Sequence, residues 1–228
     1  MNNLSLTATE IERLVKAVGY VGCLIFALAT AVNSLLFEAP IATAAWRAVS
    51  PAVLLTSLLF GFFVTKAWRW PLVASWMGRP LIHGVWAGTL TSDFRQSGGA
   101  NGARVELPIV FVIRQSYMTL SVQSFTPGQE GESRLEALIR NEKTAATVLS
   151  YVFELRRPYS ADGKLIRGAG ELKLVSNDQE LRGLYWTDSP THGGLVLARL
   201  SDEADGVACY EDAVKRWPSV RATRRSAA

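Results

Sequence analysis

The pattern of hydrophobic and polar positions divides the chain near residues 65–80. The first apolar run, residues 17–37, has 21 residues and no charge, enough for a helix of about 30 Å that crosses the hydrocarbon core of a membrane. The second run, residues 48–64, is also uncharged, and with the residues before Arg47 it predicts a second span over residues 43–64. We therefore predict a transmembrane helical hairpin in residues 1–65.

Basic residues around the two runs predict the orientation of this hairpin. Two of them precede the first run and three lie in residues 66–80, whereas the connection between the runs contains only Arg47. By the positive-inside bias, we expect both termini to be cytoplasmic, with residues 66–80 as a basic juxtamembrane linker. A cleaved signal peptide is the alternative for the first run, but a second run follows it immediately.

After Pro80 the hydrophobic positions alternate with a period of two, which is typical of β-strands. Glycine, proline, asparagine and aspartate separate the alternating segments, for example at 97–102, 126–132 and 157–164. The predicted strands cover residues 83–94, 105–115, 117–125, 133–141, 144–156, 168–176, 180–187 and 193–200. Eight strands joined by short loops favour an up-and-down antiparallel β-barrel over residues 81–205, because closure removes both sheet edges. Residues 206–228 are predicted to form a short helix and a basic tail.

The first predicted strand places Gly84 and Gly88 on either side of Trp86. Glycine inside a strand indicates a sharp bend or a close approach of the backbone. Gly84-x-Trp86 resembles the glycine-x-tryptophan start of lipocalin-type barrels, and this resemblance implies that the tryptophan ring fills one end of the barrel.

Charge and composition exclude several functions. Residues 81–214 contain 13 basic and 17 acidic side chains, so this body is not a platform for a nucleic-acid polymer. The two cysteines, Cys23 and Cys209, provide neither a plausible disulfide nor a metal framework, and His83 and His192 lack partners at ligand spacing. Ser189, His192 and Asp188 lie within one predicted turn, which cannot present a catalytic triad. We predict no catalytic residues, no metal and no cofactor.

Polar and aromatic residues within the apolar strands are the candidate ligand-binding groups. Tyrosine can stack on bases and arginine can bind phosphates, so such residues in a barrel lumen would suit a nucleotide. The candidates are Trp86, Arg114, Tyr117, Tyr151, Tyr185, Thr187 and Arg199. For each arginine the alternative is a place on the solvent face, and for each tyrosine a place in the core.

Two predicted spans, a basic linker, "IHGVWAGTL" at 82–90 and a strand-only domain closing with "LRGLYWTDSPTHGGLVLARL" at 181–200 together resemble one bacterial family. This family is the CD-NTase-associated two-transmembrane β-barrel effector of CBASS anti-phage systems, also described as SMODS-associating and β-strand-rich. The resemblance implies a protein of the bacterial inner membrane whose cytosolic barrel binds a cyclic dinucleotide. It also implies that binding causes homo-oligomerisation through the membrane helices, membrane disruption and abortive infection.

Three further functions remain open at this point. A constitutive membrane-anchored barrel that carries a lipid or another apolar metabolite predicts an apolar lumen without paired arginines, whereas the gated effector predicts a polar lumen that contains arginine. An interaction scaffold predicts a fully packed barrel, and a membrane-bound hydrolase would need a catalytic constellation that the sequence lacks. For the gated effector, small residues in the spans offer helix-packing surfaces: Gly19, Gly22, Ala27, Ala31, Ser34, Ala44, Ala45 and Ala52.

Overall fold

The computed structural model describes residues 5–70, 72–73, 77, 79–93, 105–141, 143–144, 146–156, 165–189 and 191–222. The predicted loops at 97–102 and 157–164 and the end of the tail, 223–228, lie outside these residues. Contacts divide the chain into Leu6–Gly78 and a second unit of Arg79–Ala228 with Met1–Ser5.

The first unit contains two long helices, α1 (Ala8–Phe37) and α2 (Ile41–Thr65), followed by a short 3₁₀ turn at Ala67–Arg69. Helix α1 begins before the predicted apolar run because Thr7 and Glu10 form a capping box, in which each side chain binds the backbone of the other residue. It ends at Phe37 because the next residue, Glu38, has a left-handed backbone conformation with a φ of 50°, and Pro40 is the N-cap of α2.

The two helices pack along a stripe of small side chains. Ala44, Ala48 and Ala52 recur every fourth residue of α2 and are buried. A side-chain carbon at Gly22 would lie 3.6 Å from the Thr56 hydroxyl, so the helices are close there. These residues support packing within the hairpin, whereas Gly19, Ala27 and Ala31 are exposed on α1.

Both helices are long and apolar enough to cross a membrane. Their most apolar windows are only 0% and 11% buried, unlike a core helix of a water-soluble protein. Large side chains such as Leu24, Leu35 and Leu54 are 70%, 80% and 62% exposed. An apolar surface of this extent needs a lipid environment, and the structure thus supports a membrane protein with two spans.

The second unit is a closed antiparallel barrel in which each strand pairs with the next in sequence and the last strand pairs with the first. The strands are β1 (Gly84–Ser92), β2 (Val105–Gln115), β3 (Leu120–Thr126), β4 (Gln129–Arg140), β5 (Thr147–Arg156), β6 (Ile166–Val175), β7 (Glu180–Thr187) and β8 (His192–Ser201). The predicted N-terminal hairpin, all-β class and eight-stranded barrel are confirmed. Strand β4 begins earlier than expected, because Thr126 and Gln129 pair directly across a tight turn.

The barrel has an apolar inside and a second apolar cluster outside. Inward side chains from all eight strands form the main core, which includes Trp86, Phe111 and Tyr151. On the outer face of β1–β3, Val85, Val112 and Phe125 pack with residues of the C-terminal segment. That segment contains α3 (Tyr210–Arg216) and α4 (Ser219–Ala222), where a single short helix and a basic tail were predicted.

Candidate functional site

Trp86 fills one end of the barrel, here called the closed end. Its side chain is 0% exposed, and the indole nitrogen donates a 2.9 Å hydrogen bond to the Ile82 carbonyl. The Arg199 guanidinium lies 4.6 Å from the centre of the Trp86 ring and is also bound by Asp202 and the Leu81 carbonyl. This stacked and hydrogen-bonded pair is a structural cap.

The segment before β1 and the residues that follow β2 also close this end of the barrel, outside the Trp86 ring. The Gln115 side chain accepts from the Ile82 amide and donates to the Pro80 carbonyl, at 2.9 and 3.0 Å, which holds the segment before β1 in place. Nearby, the buried Arg79 guanidinium lies 5.7 Å from the centre of the Tyr117 ring. Tyr117 is 1% exposed, so it is part of this closure.

The middle of the lumen is occupied by aromatic side chains. Tyr151 packs edge-on against Phe111 and is tilted against Phe153, with ring centres 5.8 and 5.5 Å apart. A side-chain carbon at Gly170 would lie 2.7 Å from the Tyr151 ring, and one at Gly168 would lie 2.5 Å from Phe153. Burial raises the pKa of Tyr151 far above its ordinary value. The glycines of β6 therefore provide space for rings, and this level of the lumen is apolar and filled.

Glu136 is an inward-facing acid that the sequence interpretation missed. A β-bulge between Ser133 and Leu135 shifts the strand and places Glu136 opposite the inward Tyr151. One carboxylate oxygen accepts from the Ser133 hydroxyl, while the buried Oε2 has no hydrogen-bond partner among the described residues. Burial raises the pKa of Glu136. At the bulge, the alternation of inward and outward side chains along β4 shifts by one residue, and this shift turns Glu136 inward. No sequence pattern marks a bulge at this position.

We expect Glu136→Gln to flatten the pH dependence of barrel stability. Because the folded-state pKa is raised above 4.5, the folded chain holds a proton that the unfolded chain releases, and stability falls as pH rises through this window. Thermal unfolding of the full chain in detergent at about pH 5 and about pH 8 measures this. The variant should show a smaller difference between the two midpoints, and an unchanged difference would contradict the assignment.

The end opposite Trp86, here called the open end, carries a groove of about 340 Å³. Its lining residues are Thr91, Asp93, Leu184, Tyr185, Trp186, His192, Gly193 and Gly194. The His192 Nδ1 lies 2.8 Å from Asp93 Oδ2, and the His192 amide donates to the other carboxylate oxygen at 2.7 Å. A side-chain carbon at Gly194 would meet no atom closer than 3.9 Å, so the absent side chain leaves the groove open.

Tyr185 connects this groove to the lumen. It is 7% exposed and belongs to the barrel core, yet it also lines the groove. Burial raises the pKa of Tyr185, and a hydrogen bond with the Ser92 side chain opposes the rise. On the neighbouring position, Trp186 points outward and is 49% exposed. The groove thus combines a rigid tyrosine with an accessible indole.

The seven predicted site residues do not form one pocket. Trp86, Arg199 and Tyr117 lie at the closed end, Tyr151 fills the middle, and Tyr185 is at the open end. Thr187, half-buried at the end of β7, bonds to residues of the turn that follows. Arg114 is on the outer face of β2, where its guanidinium donates to the Gln123 side chain. The expectation that arginines such as Arg114 face the lumen is therefore corrected, because the strand parity set by Ile113 and Gln115 turns Arg114 outward.

The open end carries the candidate binding groove of the barrel. Among the described residues, no group of three or more histidine, cysteine, aspartate or glutamate side chains is placed to hold a metal ion. The groove is lined by the exposed Trp186 ring, by the His192–Asp93 pair and by Gly193 and Gly194. Fold and groove together define an eight-stranded barrel that follows two helices long and apolar enough to span a membrane, with a candidate binding groove at the barrel rim. No protein-family model and no curated protein matches this chain.

Proposed function

We propose that this chain is a ligand-gated membrane effector without enzymatic activity, and that a cyclic dinucleotide is its ligand. The observation that carries the proposal is the presence, in one chain, of two membrane spans and a closed barrel whose rim groove has an exposed indole beside open backbone. The resemblance of this layout to the CBASS two-transmembrane effectors supports the ligand class. In this proposal both termini are in the cytoplasm of a bacterium and the spans cross the inner membrane.

The groove supports recognition of a planar base. A base can stack on the outward Trp186 ring, which is worth about 1–3 kcal/mol for a base on an aromatic side chain. Gly194 leaves open space in the same groove, since a side-chain carbon there would meet no atom closer than 3.9 Å.

We expect Trp186→Ala to weaken cyclic-dinucleotide binding by about tenfold or more, because it removes the stacking surface. The measurement is a calorimetric titration of the full chain in lipid nanodiscs against a panel of cyclic dinucleotides. Arg114→Ala is the control, since Arg114 lies on the outer face of β2 and should leave the affinity unchanged. Equal affinities for wild type and Trp186→Ala would exclude the groove as the site.

A second function, transport or storage of an apolar metabolite, matches the apolar lining of the lumen, but Tyr151, Phe111 and Phe153 already fill its middle. The polar, arginine-containing lumen expected of a gated effector is not found among the described residues. The inward side chains of the described strands form an apolar core, and Arg199, at the closed end, is already bound by Asp202 and Leu81. Titration with a fluorescent fatty-acid analogue separates the two functions. Saturable binding of this probe together with silence across the cyclic-dinucleotide panel would favour the carrier.

A further inference from the structure

The outer surface of β4–β7 carries a row of exposed apolar side chains. Leu135 pairs with Val152, Val152 with Ala169, and Ala169 with Trp186, so the four residues are direct neighbours across four strands. Leu135 is 60%, Val152 41% and Trp186 49% exposed. Leu184, two residues before Trp186 on the same side of β7, is 64% exposed. We call these five residues the β4–β7 face.

The two apolar outer surfaces of the barrel differ in how much of each is covered by other parts of the chain. On β1–β3, Val85, Val112 and Phe125 are at most 3% exposed because Val207 and Val214 of the C-terminal segment pack on them. The β4–β7 face has the same kind of side chains, but they remain largely exposed. Clustered exposure of this kind is typical of a surface that meets another apolar phase.

The charges beside the face are largely neutralised within the barrel. Arg134 and Arg167 both bind Glu154, at 3.0 and 3.4 Å. Arg182 binds Glu180 at 2.7 Å. The Arg134 guanidinium lowers the pKa of Glu154, so this carboxylate stays ionised between its two arginines. Glu171, which lies opposite Leu184 on β6, and Lys173 are two further exposed charges of opposite sign, so the net charge around the face remains small.

A bilayer is the apolar phase that this chain always has within reach. The second span ends at Thr65 and β1 begins at Gly84, so the intervening residues 66–83 reach at most about 65 Å even when fully extended. A tether of this length gives the membrane surface a high effective concentration, so a weak interaction is enough for docking. A second copy of the chain has no such permanent proximity.

We propose that the β4–β7 face docks on the surface of the bilayer that holds the two spans, with Trp186 at the level of the lipid headgroups. Indole rings favour this level, and branched aliphatic side chains such as Leu135 and Leu184 enter the adjacent apolar boundary. Since the neighbouring ion pairs are internally neutralised, docking is apolar and does not depend on anionic lipid. The inference rests on the two spans. It shares Trp186 with the proposed base-stacking groove, so membrane docking and base stacking compete for this ring, and the test therefore uses Leu135 and Val152, which lie outside the groove.

The test places a fluorescent label on single cysteines of the full chain. Leu135→Cys and Val152→Cys report on the face, and Glu106→Cys, an exposed outward position on β2 across the barrel, is the control. Cys23→Ser and Cys209→Ser remove the native thiols. Each protein is reconstituted in phosphatidylcholine vesicles that contain lipids with a nitroxide at the headgroup.

We expect nitroxide quenching of the labels at 135 and 152 to exceed that at 106 by about threefold or more, as insertion at the headgroup level requires. The excess should stay the same when part of the phosphatidylcholine is replaced by anionic phosphatidylglycerol. Equal quenching at all three positions would overturn the proposal. So would energy transfer between labels at 135 that rises with the protein-to-lipid ratio without nitroxide quenching, because the face would then join two copies. A strong dependence on anionic lipid would overturn the apolar mode of docking.

Discussion

Replacing Trp86 by alanine should destabilise the barrel by about 3–5 kcal/mol, the usual cost of removing a large aromatic side chain from a core. Trp86 is 0% exposed and packs with strands on both sides of the barrel. The substitution also removes the hydrogen bond to the Ile82 carbonyl and the surface on which Arg199 stacks. Arg199 would then be a partly buried cation with one fewer partner, which adds to the loss.

The measurement is denaturant unfolding of the full chain in detergent, followed by near-ultraviolet circular dichroism. Trp186→Ala is the matched control, because it removes the same side chain from a position that is 49% exposed. We expect the control to change the free energy of unfolding by less than about 1 kcal/mol. Similar losses for the two variants would contradict the assignment of Trp86 as the cap of the closed end.

Gly88→Ala should have a comparable effect by a different mechanism. A side-chain carbon at Gly88 would lie 1.9 Å from the Val196 carbonyl oxygen of β8, whereas a carbon and an oxygen need about 3.3 Å. The clashing atom belongs to the backbone and cannot rotate away as a side chain can. Strands β1 and β8 must therefore separate at the seam where their pairing closes the barrel. We expect a loss of more than about 3 kcal/mol, in the upper range of overpacking effects.

Gly194→Ala is the control for this second prediction. Gly194 lies on the β8 side of the same seam, opposite Thr91, but a side-chain carbon there would meet nothing closer than 3.9 Å. Its stability should match that of the wild type or rise slightly, because alanine restricts the unfolded chain. The same unfolding experiment compares the two variants. A Gly88→Ala protein as stable as Gly194→Ala would show that the seam is more open than described.

The alternation of apolar and polar residues predicted both the barrel and the direction of many side chains. In β7 this alternation puts Tyr185 on one face and Leu184 and Trp186 on the other, as the structure shows, with Tyr185 7% and Leu184 64% exposed. The pattern works here because a strand without bulges keeps a strict period of two. The same alternation places Trp86 inside the barrel. Gly84, two residues earlier, has a φ of 132°, a backbone conformation that favours glycine over any residue with a side chain.

Features that depend on distant parts of the chain could not be predicted from this pattern. The bulge in β4 turns Glu136 inward, and it depends on how β4 meets β3 and β5 together. The Val122 amide, for example, donates to the Ser133 hydroxyl rather than to a strand carbonyl. Strand pairing of this kind is a property of the closed sheet, and no local residue pattern encodes it.

The candidate site shows the same limit. Tyrosine and arginine were identified by type and by their place in apolar strands, but type does not say which end of a barrel a residue occupies. Trp86 and Tyr185 both face inward, yet one caps the closed end and the other lines the open end. His192 and Asp93 form their pair across the β1–β8 seam, 99 residues apart in sequence, and only the closed sheet brings them together.

Ligand-triggered leakage of a dye from vesicles tests the central claim most directly. The full chain is reconstituted in phosphatidylcholine and phosphatidylglycerol vesicles loaded with a self-quenched dye, and cyclic dinucleotides are added one at a time. The account predicts that one of them releases the dye and that Trp186→Ala requires about tenfold more of it, in line with the lost stacking. Binding of a cyclic dinucleotide without any release, or release that is equal with and without ligand, would contradict a gated effector.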